Sequence, residues 1–279
     1  MKLKKYASIL KKSKKNAENL YFNDDKEDKI SNINYILQNM GKKMKPEYTR
    51  IMLKLSGEGL SGEKGFGIDS ETVSELAKEI SDIRKKGVQI ALVVGGGNFF
   101  RGAKNACDKM DRSVADNIGM MVTVINALAL KSAIEAEQAP CKIFSGISVP
   151  SVCNDFNFEE ALQSLKAGNI VIFAGGTGNP YFTTDTGAAL RAAQMHCQIM
   201  MKATQVDGVY DSDPRQNPNA QRFDTITYNE IMEKHLSVID MTAASLLRDN
   251  NIPTMIFLQK GKNSISDAIC GNAKRTIIK

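Results

Sequence analysis

The sequence predicts an α/β fold, a three-layer sandwich in which helices cover both faces of a mostly parallel sheet. Two observations lead to this prediction. From Thr49 onward, short apolar strands alternate with stretches of helical periodicity. Several of these strands are almost continuously apolar, which is typical of strands buried on both faces. Because ligands bind such sheets outside the carboxyl ends of the strands, we expect the functional residues to follow strands.

The predicted elements follow one another along the chain. The first strand is RIMLKL, a helix covers 69–86 and stops at Gly87, and the next strand is VQIALVV. A long helix spans about 111–138 and is followed by the strand KIFSGI, the helix FEEALQSLKAG and the strand NIVIFAGG. The helix TDTGAALRAAQMH and the strand QIMMKAT precede a loop at 207–222. Two short helices, the strand TMIFL, a helix near 264–270 and the strand RTIIK come last.

Composition excludes several classes of protein. The chain has 279 residues, of which 42% are hydrophobic and 24% charged, as in globular proteins with a sizeable core. No run of about 18 apolar residues occurs, so we expect no membrane-spanning helix, and the N-terminus lacks the apolar core of a secretory signal. The five cysteines are scattered, without a CxxC. We therefore expect reduced thiols, a cytoplasmic location and no metal site built by the protein alone.

The positive charge is concentrated in one part of the chain. Residues 1–46 contain 12 lysines and 5 acidic residues, whereas the remainder has a net charge of −1. One interpretation is a solvated, disordered extension or a misassigned start, and the other is a basic arm that contacts nucleic acid or another anionic surface. We favour the first interpretation. It predicts one folded domain over 47–279 and no nucleic-acid partner.

Two predicted strand ends carry groups suited to phosphate. Lys54 begins the tetrapeptide KLSG at 54–57, where an ammonium group and backbone N–H groups can meet an anion, although a lysine before a turn is the simpler interpretation. The run GGGN at 95–98 follows the second strand, and Arg101 adds a guanidinium fork. Neither stretch fits GxxxxGK[ST] or GxGxxG, which disfavours a P-loop and a Rossmann dinucleotide site.

Two further strand ends are rich in hydroxyl and carboxylate groups. The loop GTGNPYFTTDT at 176–186 offers threonines, an amide and Asp185 where a helix begins. Such a loop suits a uracil edge or a ribose, although Asp185 is also compatible with a simple helix cap. Lys202 and Thr204 end another strand and precede an Asp-Gly turn and a second acidic turn.

In this order, these stretches resemble those of the amino acid kinase family and, within it, of the bacterial UMP kinases. The matching strings are KLSGE, GFGID, VVGGGNFFRG, MDRSVADNIGM, GTGNPYFTTDT, MKATQVDGVYDSDP and MTAASLLRD. The resemblance covers about 47–279, and GTGNPYFTTD is its most specific string, because other members of the family lack this loop. It implies transfer of a phosphoryl group from ATP to UMP with Mg²⁺, a homohexamer, a UMP-binding N-terminal part and an ATP-binding C-terminal part.

The resemblance also implies roles for individual residues. Catalytic roles are implied for Lys54, Arg101, Asp185 and Lys202. ATP binding is implied for Lys54, Leu55, Ser56, Gly57, Gly97, Arg101, Thr204, Tyr210 and Asp213. UMP binding is implied for Gly96, Asp116, Thr177, Gly178, Asn179, Pro180, Tyr181, Phe182, Thr183 and Thr184. Because the UMP phosphate is already an anionic nucleophile, we expect Asp185 to organise lysines rather than to accept a proton.

Regulation by GTP as activator and UTP as inhibitor is a further implication of the resemblance. The segment that matches the region associated with activation comprises Gly62, Glu63, Lys64, Gly65, Phe66 and Gly67. Two positions depart from the family pattern: Gln205 stands where relatives commonly carry Lys or Asn, and Asn169 lacks an expected charge. The alternatives are a carboxylate or carbamate kinase of the same fold and a non-catalytic nucleotide sensor.

Overall fold

A computed structural model describes residues 45–100 and 110–279 of the chain. Almost all of the predicted extension at 1–46 lies outside the described residues, and so do Arg101 and Cys107. The domain limits proposed from the sequence, 1–46 and 47–279, therefore stay a prediction.

Eleven strands occur in the described part of the chain. They are β1 Arg50–Leu55, β2 Gln89–Val94, β3 Cys141–Ser145, β4 Asn154–Asp155, β5 Ile170–Ala174, β6 Ile199–Thr204, β7 Val209–Tyr210, β8 Arg222–Phe223, β9 Thr225–Ile226, β10 Thr254–Leu258 and β11 Arg275–Ile278. Nine of them form one sheet in the order β4-β3-β5-β2-β1-β6-β10-β11-β9. Only β10 and β11 run antiparallel within that sheet, while β7 and β8 form a separate antiparallel hairpin. The predicted mostly parallel sheet is confirmed.

Seven α-helices connect the described strands. They are α1 Ser70–Lys85, α2 Arg112–Ala136, α3 Phe158–Lys166, α4 Thr184–Gln194, α5 Tyr228–Glu233, α6 Met241–Asp249 and α7 Ser264–Ile269. One apolar cluster joins the sheet to α1, α2 and α7, and a second joins its other face to α3, α4, α5 and α6. The predicted three-layer sandwich is thus confirmed. Two short 3₁₀ helices, Gly57–Leu60 and Gly62–Lys64, follow β1.

The sequence predicted no membrane-spanning helix, whereas helix α2 has the length and composition of one. By length and composition alone it is the one described helix able to cross a membrane, and 44% of its apolar window is buried inside the protein. The sequence of α2 contains no long uninterrupted apolar run, because polar residues such as Thr123 and Asn126 interrupt it. The helix packs against β3 and β5, as the core helix of an α/β sandwich does.

Candidate active site

Two predicted catalytic lysines lie side by side on neighbouring strands. Lys54 in β1 is in parallel register with Lys202 in β6. Met52 and Met200, two positions earlier in each strand, pack in the apolar cluster on the α4 face of the sheet. Because side chains alternate along a strand, both lysines also point to that face. The binary pattern of β1 and β6 therefore places two cations together next to α4.

Asp185, in the first turn of α4, contacts both lysines. Its Oδ1 lies 2.9 Å from Lys54 Nζ, and its Oδ2 accepts a hydrogen bond from Lys202 Nζ. Lys202 Nζ also donates to Val238 O at 2.7 Å. The Lys54 contact is a close ion pair. We call Lys54, Asp185 and Lys202 the lysine–aspartate cluster; its side chains are only 11–13% exposed.

Burial and charge act in opposite directions on this cluster. Burial by itself would raise the pKa of Asp185, but the two ammonium groups hold that pKa below its ordinary value. Burial lowers the pKa of Lys202, and repulsion from Lys54 lowers it further, while Asp185 opposes this shift. The carboxylate is therefore ionised and a poor proton acceptor. Two cations and one anion leave a net positive charge that suits a phosphate group.

Asp240 is a site residue that the sequence analysis missed. It caps α6 by accepting a hydrogen bond from Ala243 N at 2.8 Å. The same carboxylate accepts hydrogen bonds from the hydroxyl groups of Thr183 at 2.6 Å and Thr186 at 3.0 Å, both at the N-terminus of α4. An Asp before a helical run signals an N-cap, but nothing in the sequence indicates its second role of fixing the start of α4.

The loops after β1 and β2 touch each other. A Cβ on Gly57 would lie 2.7 Å from both Gly95 O and Gly97 N, so only glycine fits at this position. Gly95 N donates to Leu55 O at 3.0 Å, which closes the contact. The Leu55 side chain is fully buried in the core, so any nucleotide contact by Leu55 uses its backbone. Ser56 lies between Leu55 and Gly57 and completes the predicted phosphate-binding stretch at 54–57.

A cleft lies between the loop after β2, helix α2 and the loop after β5. Its lining residues are Gly96, Gly97, Phe100, Ala115, Asp116, Gly119, Met120, Thr123, Gly176, Thr177, Asn179, Phe182, Thr183 and Thr184. Most of the predicted UMP-binding residues are therefore brought together here. Three of them, Gly178, Pro180 and Tyr181, belong to the same loop but do not line the cleft.

Asp116 connects α2 to the predicted UMP-binding loop. Its Oδ2 accepts a hydrogen bond from Tyr181 N at 2.8 Å and lies 3.5 Å from Arg112 Nε. The Arg112 guanidinium carbon lies 4.9 Å from the centre of the Tyr181 ring. Tyr181 has a φ of 71°, an uncommon conformation for a non-glycine residue. These contacts hold the tip of the loop in a strained conformation, which is frequent at ligand-binding sites.

The predicted ATP-binding residues of the C-terminal part lie at the end of β6 and in the segment that follows it. Thr204 ends β6 and its hydroxyl donates to Val206 O at 2.7 Å. Tyr210, in the hairpin strand β7, donates to Asp207 Oδ1 at 2.6 Å. Asp213 accepts two hydrogen bonds from the Arg215 guanidinium, at 3.0 and 2.9 Å. Arg215 is a partner of Asp213 that the sequence analysis did not identify.

The segment at 62–67, predicted to bind a regulator, lies against the loop after β2. Gly67 N donates to Asn98 O at 3.0 Å, and Asn98 Nδ2 donates to Gly67 O at 2.8 Å. Phe66 is 66% exposed and meets the Phe99 ring edge-to-face at 5.5 Å. The segment therefore touches a loop that lines the cleft.

The described part of the chain offers no dedicated metal cage. No three His, Cys, Asp or Glu side chains converge there. A magnesium ion carried on nucleotide phosphates needs only one or two protein carboxylates, because phosphate oxygens and water supply its other ligands. The donor set therefore fits a cation that arrives with the nucleotide.

The amino acid kinase family model matches residues 49–258. The chain belongs to the amino acid kinase family. Within this family, it is 47% identical over 233 residues to the uridylate kinase of Erythrobacter litoralis, covering 84% of this chain and 98% of that protein. It is 43% identical over 234 residues to the uridylate kinase of Vibrio cholerae, covering 84% and 96%.

Solved structures of the family agree with this assignment. The UMP kinase of Ureaplasma parvum superposes with a TM-score of 0.80 at 38% identity, over 84% of this chain and 99% of that one. The UMP kinase of Bacillus anthracis superposes with a TM-score of 0.79 at 34% identity, over 83% and 96%. The chain is therefore similar to those proteins in both sequence and fold.

Proposed function

We infer that this chain is a UMP kinase, which transfers the γ-phosphoryl group of ATP to UMP and supplies UDP for pyrimidine nucleotide synthesis. The observation that carries this inference is the buried lysine–aspartate cluster beside a cleft lined by six residues of the loop GTGNPYFTT. Asp185 of the cluster directly follows Thr184 of that lining. The uridylate kinases of two bacteria, 43% and 47% identical to the chain, support the same activity.

The mechanism is electrostatic. A phosphate oxygen of UMP attacks the γ-phosphorus of ATP, and the bond from that phosphorus to the β–γ bridging oxygen breaks, releasing ADP. Two polyanions must approach each other, and charge on the transferred group must be stabilised. Lys54 and Lys202 supply positive charge that is already oriented by Asp185, so little reorganisation is needed in the transition state. Arg101 would add a guanidinium fork from the loop that follows β2.

Mg²⁺ is the divalent cation that we propose for this reaction. When bound, it neutralises charge on the ATP phosphates. Both oxygens of Asp213 are engaged by Arg215, and both oxygens of Asp185 face lysines. Nucleotide phosphates would therefore supply most of its ligands, and Asp213, which the resemblance assigns to ATP binding, would reach it only by exchanging a contact with Arg215. Thr204 and Tyr210 would lie beside the nucleoside of ATP.

We propose that the chain forms a homohexamer and that it acts in the cytoplasm. Val114, Met121 and Ile125 of α2 are each 45–50% exposed. Their spacing of seven and four residues places them on one face of the helix. An exposed apolar stripe on a helix whose other face packs against the sheet suits burial against a second copy of the chain.

Regulation by GTP and UTP is part of the same proposal. The segment at 62–67 would respond to GTP, because its hydrogen bonds with Asn98 link it to the loop that lines the cleft. UTP shares its base and ribose with UMP and would inhibit.

The deciding experiment measures ADP formation with UMP, CMP, dUMP and acetylglutamate as acceptors in the presence of ATP and Mg²⁺. We expect turnover with UMP to exceed turnover with every other acceptor. Preference for acetylglutamate would indicate a carboxylate kinase of the same fold. Nucleotide binding without ADP formation would indicate a sensor.

A further inference from the structure

Helix α2 presents two polar side chains to the interior of the protein. Thr123 is 3% exposed and Asn126 is fully buried. They are three residues apart and so share one face of the helix. A polar group buried in a core is costly unless it is hydrogen-bonded, so each of these side chains must have partners.

Asn126 holds the loop after β2. Its Nδ2 donates to Gly95 O at 2.7 Å and to Asn98 Oδ1 at 2.7 Å. Asn98 Nδ2 donates back to Asn126 Oδ1 at 2.9 Å and also to Gly67 O at 2.8 Å. Every donor and acceptor of the two amides is thus used, and the pair fixes the curvature of the loop that carries Gly96 and Gly97.

Thr123 holds the loop after β5. Its hydroxyl accepts a hydrogen bond from Gly175 N at 2.8 Å and donates to Met120 O at 2.7 Å. Gly175 immediately precedes Gly176 and Thr177, which line the cleft together with Gly96 of the loop after β2. Thr123 and Asn126 of one helix therefore form hydrogen bonds to the two loops that line the cleft, after β5 and after β2.

We propose that Thr123 and Asn126 are positioning residues that hold the two glycine loops of the cleft at a fixed separation. Thr123 also lines the cleft, but its hydroxyl is engaged with Gly175 N and Met120 O, so it acts through Gly175, whereas Asn126 acts through Gly95 and Asn98. Thr123 supports the loop after β5, which carries the predicted UMP-binding residues. Asn126 supports the loop after β2, which is predicted to contact both nucleotides. This proposal rests on the UMP kinase function proposed above.

The test compares four variants of the full chain. Thr123→Val keeps the shape of the side chain and removes the acceptor for Gly175 N, while Thr123→Ser restores the hydroxyl. Asn126→Asp keeps the acceptor of Asn126 but removes its two donors. Val124→Ala, at a buried neighbour on the core side of the helix, is the control for a general loss of packing. KM and kcat are measured for both substrates, together with Tm.

We expect Thr123→Val to raise the KM for UMP about tenfold, with the KM for ATP within about twofold of wild type, because a buried hydrogen bond of one wall is lost. Thr123→Ser should restore the wild-type KM. Asn126→Asp should lower kcat and raise both KM values. Val124→Ala should lower Tm and leave both KM values unchanged. A KM for UMP that is unchanged in Thr123→Val, or raised equally in Val124→Ala, would overturn the proposal.

Amide hydrogen exchange separates this proposal from the function on which it rests. Exchange at Gly175 should accelerate in Thr123→Val relative to Val124→Ala, with no nucleotide present. Failure of the wild-type chain to phosphorylate UMP would reject the function and leave the exchange result to decide the positioning role. If Asn126→Asp does not fold, the two Thr123 variants and the exchange measurement decide alone.

Discussion

Replacing Asp185 by asparagine removes the only negative charge of the lysine–aspartate cluster while keeping the size of the side chain. Oδ1 of Asp185 lies 2.9 Å from Lys54 Nζ, a separation at which two unit charges attract by about 6 kcal/mol at an effective dielectric constant near 20. Desolvation of the buried ions offsets part of this attraction. Loss of one partner from a buried ion pair costs about 3–5 kcal/mol of folding stability, because the remaining charge has no counter-charge.

The same substitution should reduce catalysis. Without Asp185 nothing in the cluster offsets the repulsion between the two ammonium groups, and the pKa of Lys202, already lowered by burial, falls further. A misdirected or neutral lysine cannot stabilise the transferred phosphoryl group. We expect kcat to fall about 10²–10³-fold, which corresponds to about 2.7–4 kcal/mol of transition-state stabilisation.

The assay follows ADP release at saturating ATP and UMP, with thermal unfolding measured on the same preparation. Asp82→Asn is the matched control, because Asp82 makes an exposed ion pair with Lys85 at 3.0 Å on α1. Loss of such a surface pair costs about 1 kcal/mol or less and should leave kcat unchanged. A folded Asp185→Asn protein with a kcat within about tenfold of wild type would refute the assigned role of the cluster.

Three further predictions follow from individual contacts. Because burial lowers the pKa of Lys202, kcat should decline on the alkaline side before an ordinary lysine titrates, and Lys202→Arg should move this decline to higher pH. The measurement is the pH profile of kcat for wild type and Lys202→Arg, and an alkaline decline at the same pH in both would contradict the prediction. Because the pKa of Lys202 is lower in the folded protein than in the unfolded chain, its deprotonation raises folding stability as pH increases. A fall in Tm parallel to the fall in kcat would therefore assign the decline to unfolding instead. Asp116 should favour UMP over dUMP by about ten- to a hundredfold in kcat/KM, since a hydroxyl bonded to a carboxylate is worth about 1.5–3 kcal/mol. Asp116→Asn should narrow that ratio without changing the KM for ATP, and an equal effect on UMP and dUMP would contradict the ribose contact. Deleting residues 1–43 should leave kcat and the mass from light scattering unchanged, because every motif lies after Thr49; dissociation or loss of activity would assign a role to the basic extension.

The sequence predicted the larger elements well because each has a strong period or a clear stop. The expected helix at 69–86 occurs as Ser70–Lys85, and the expected strand TMIFL has the exact bounds Thr254–Leu258. The short strands β4, β7, β8 and β9 were missed, since two residues show no periodicity. The segment 207–222 was therefore predicted as a loop, although β7 and β8 pair at its two ends.

Within the candidate site, sequence reasoning found charges but not their supports. Lys54 and Lys202 stand out because each lies at the end of an apolar strand, and Asp185 stands out because it follows a hydroxyl-rich loop where a helix begins. Asp240 and Asn126 do not stand out, because an acid before a helix and an amide within a helix usually have local roles. Their partners are 54–57 and 28–31 residues away along the chain, so only the folded topology shows what they hold.

The register of β1 with β6 has a consequence for how this enzyme can lose activity. Lys54 and Lys202 share a face only because each strand alternates correctly against its neighbour. A one-residue insertion or deletion within either strand would turn its lysine to the opposite face and would also move its core residues into the wrong layer. Such a change would remove the fold together with the charge pair. Folded but inactive descendants of this chain should therefore arise by substitution of side chains, with the length of β1 and β6 preserved.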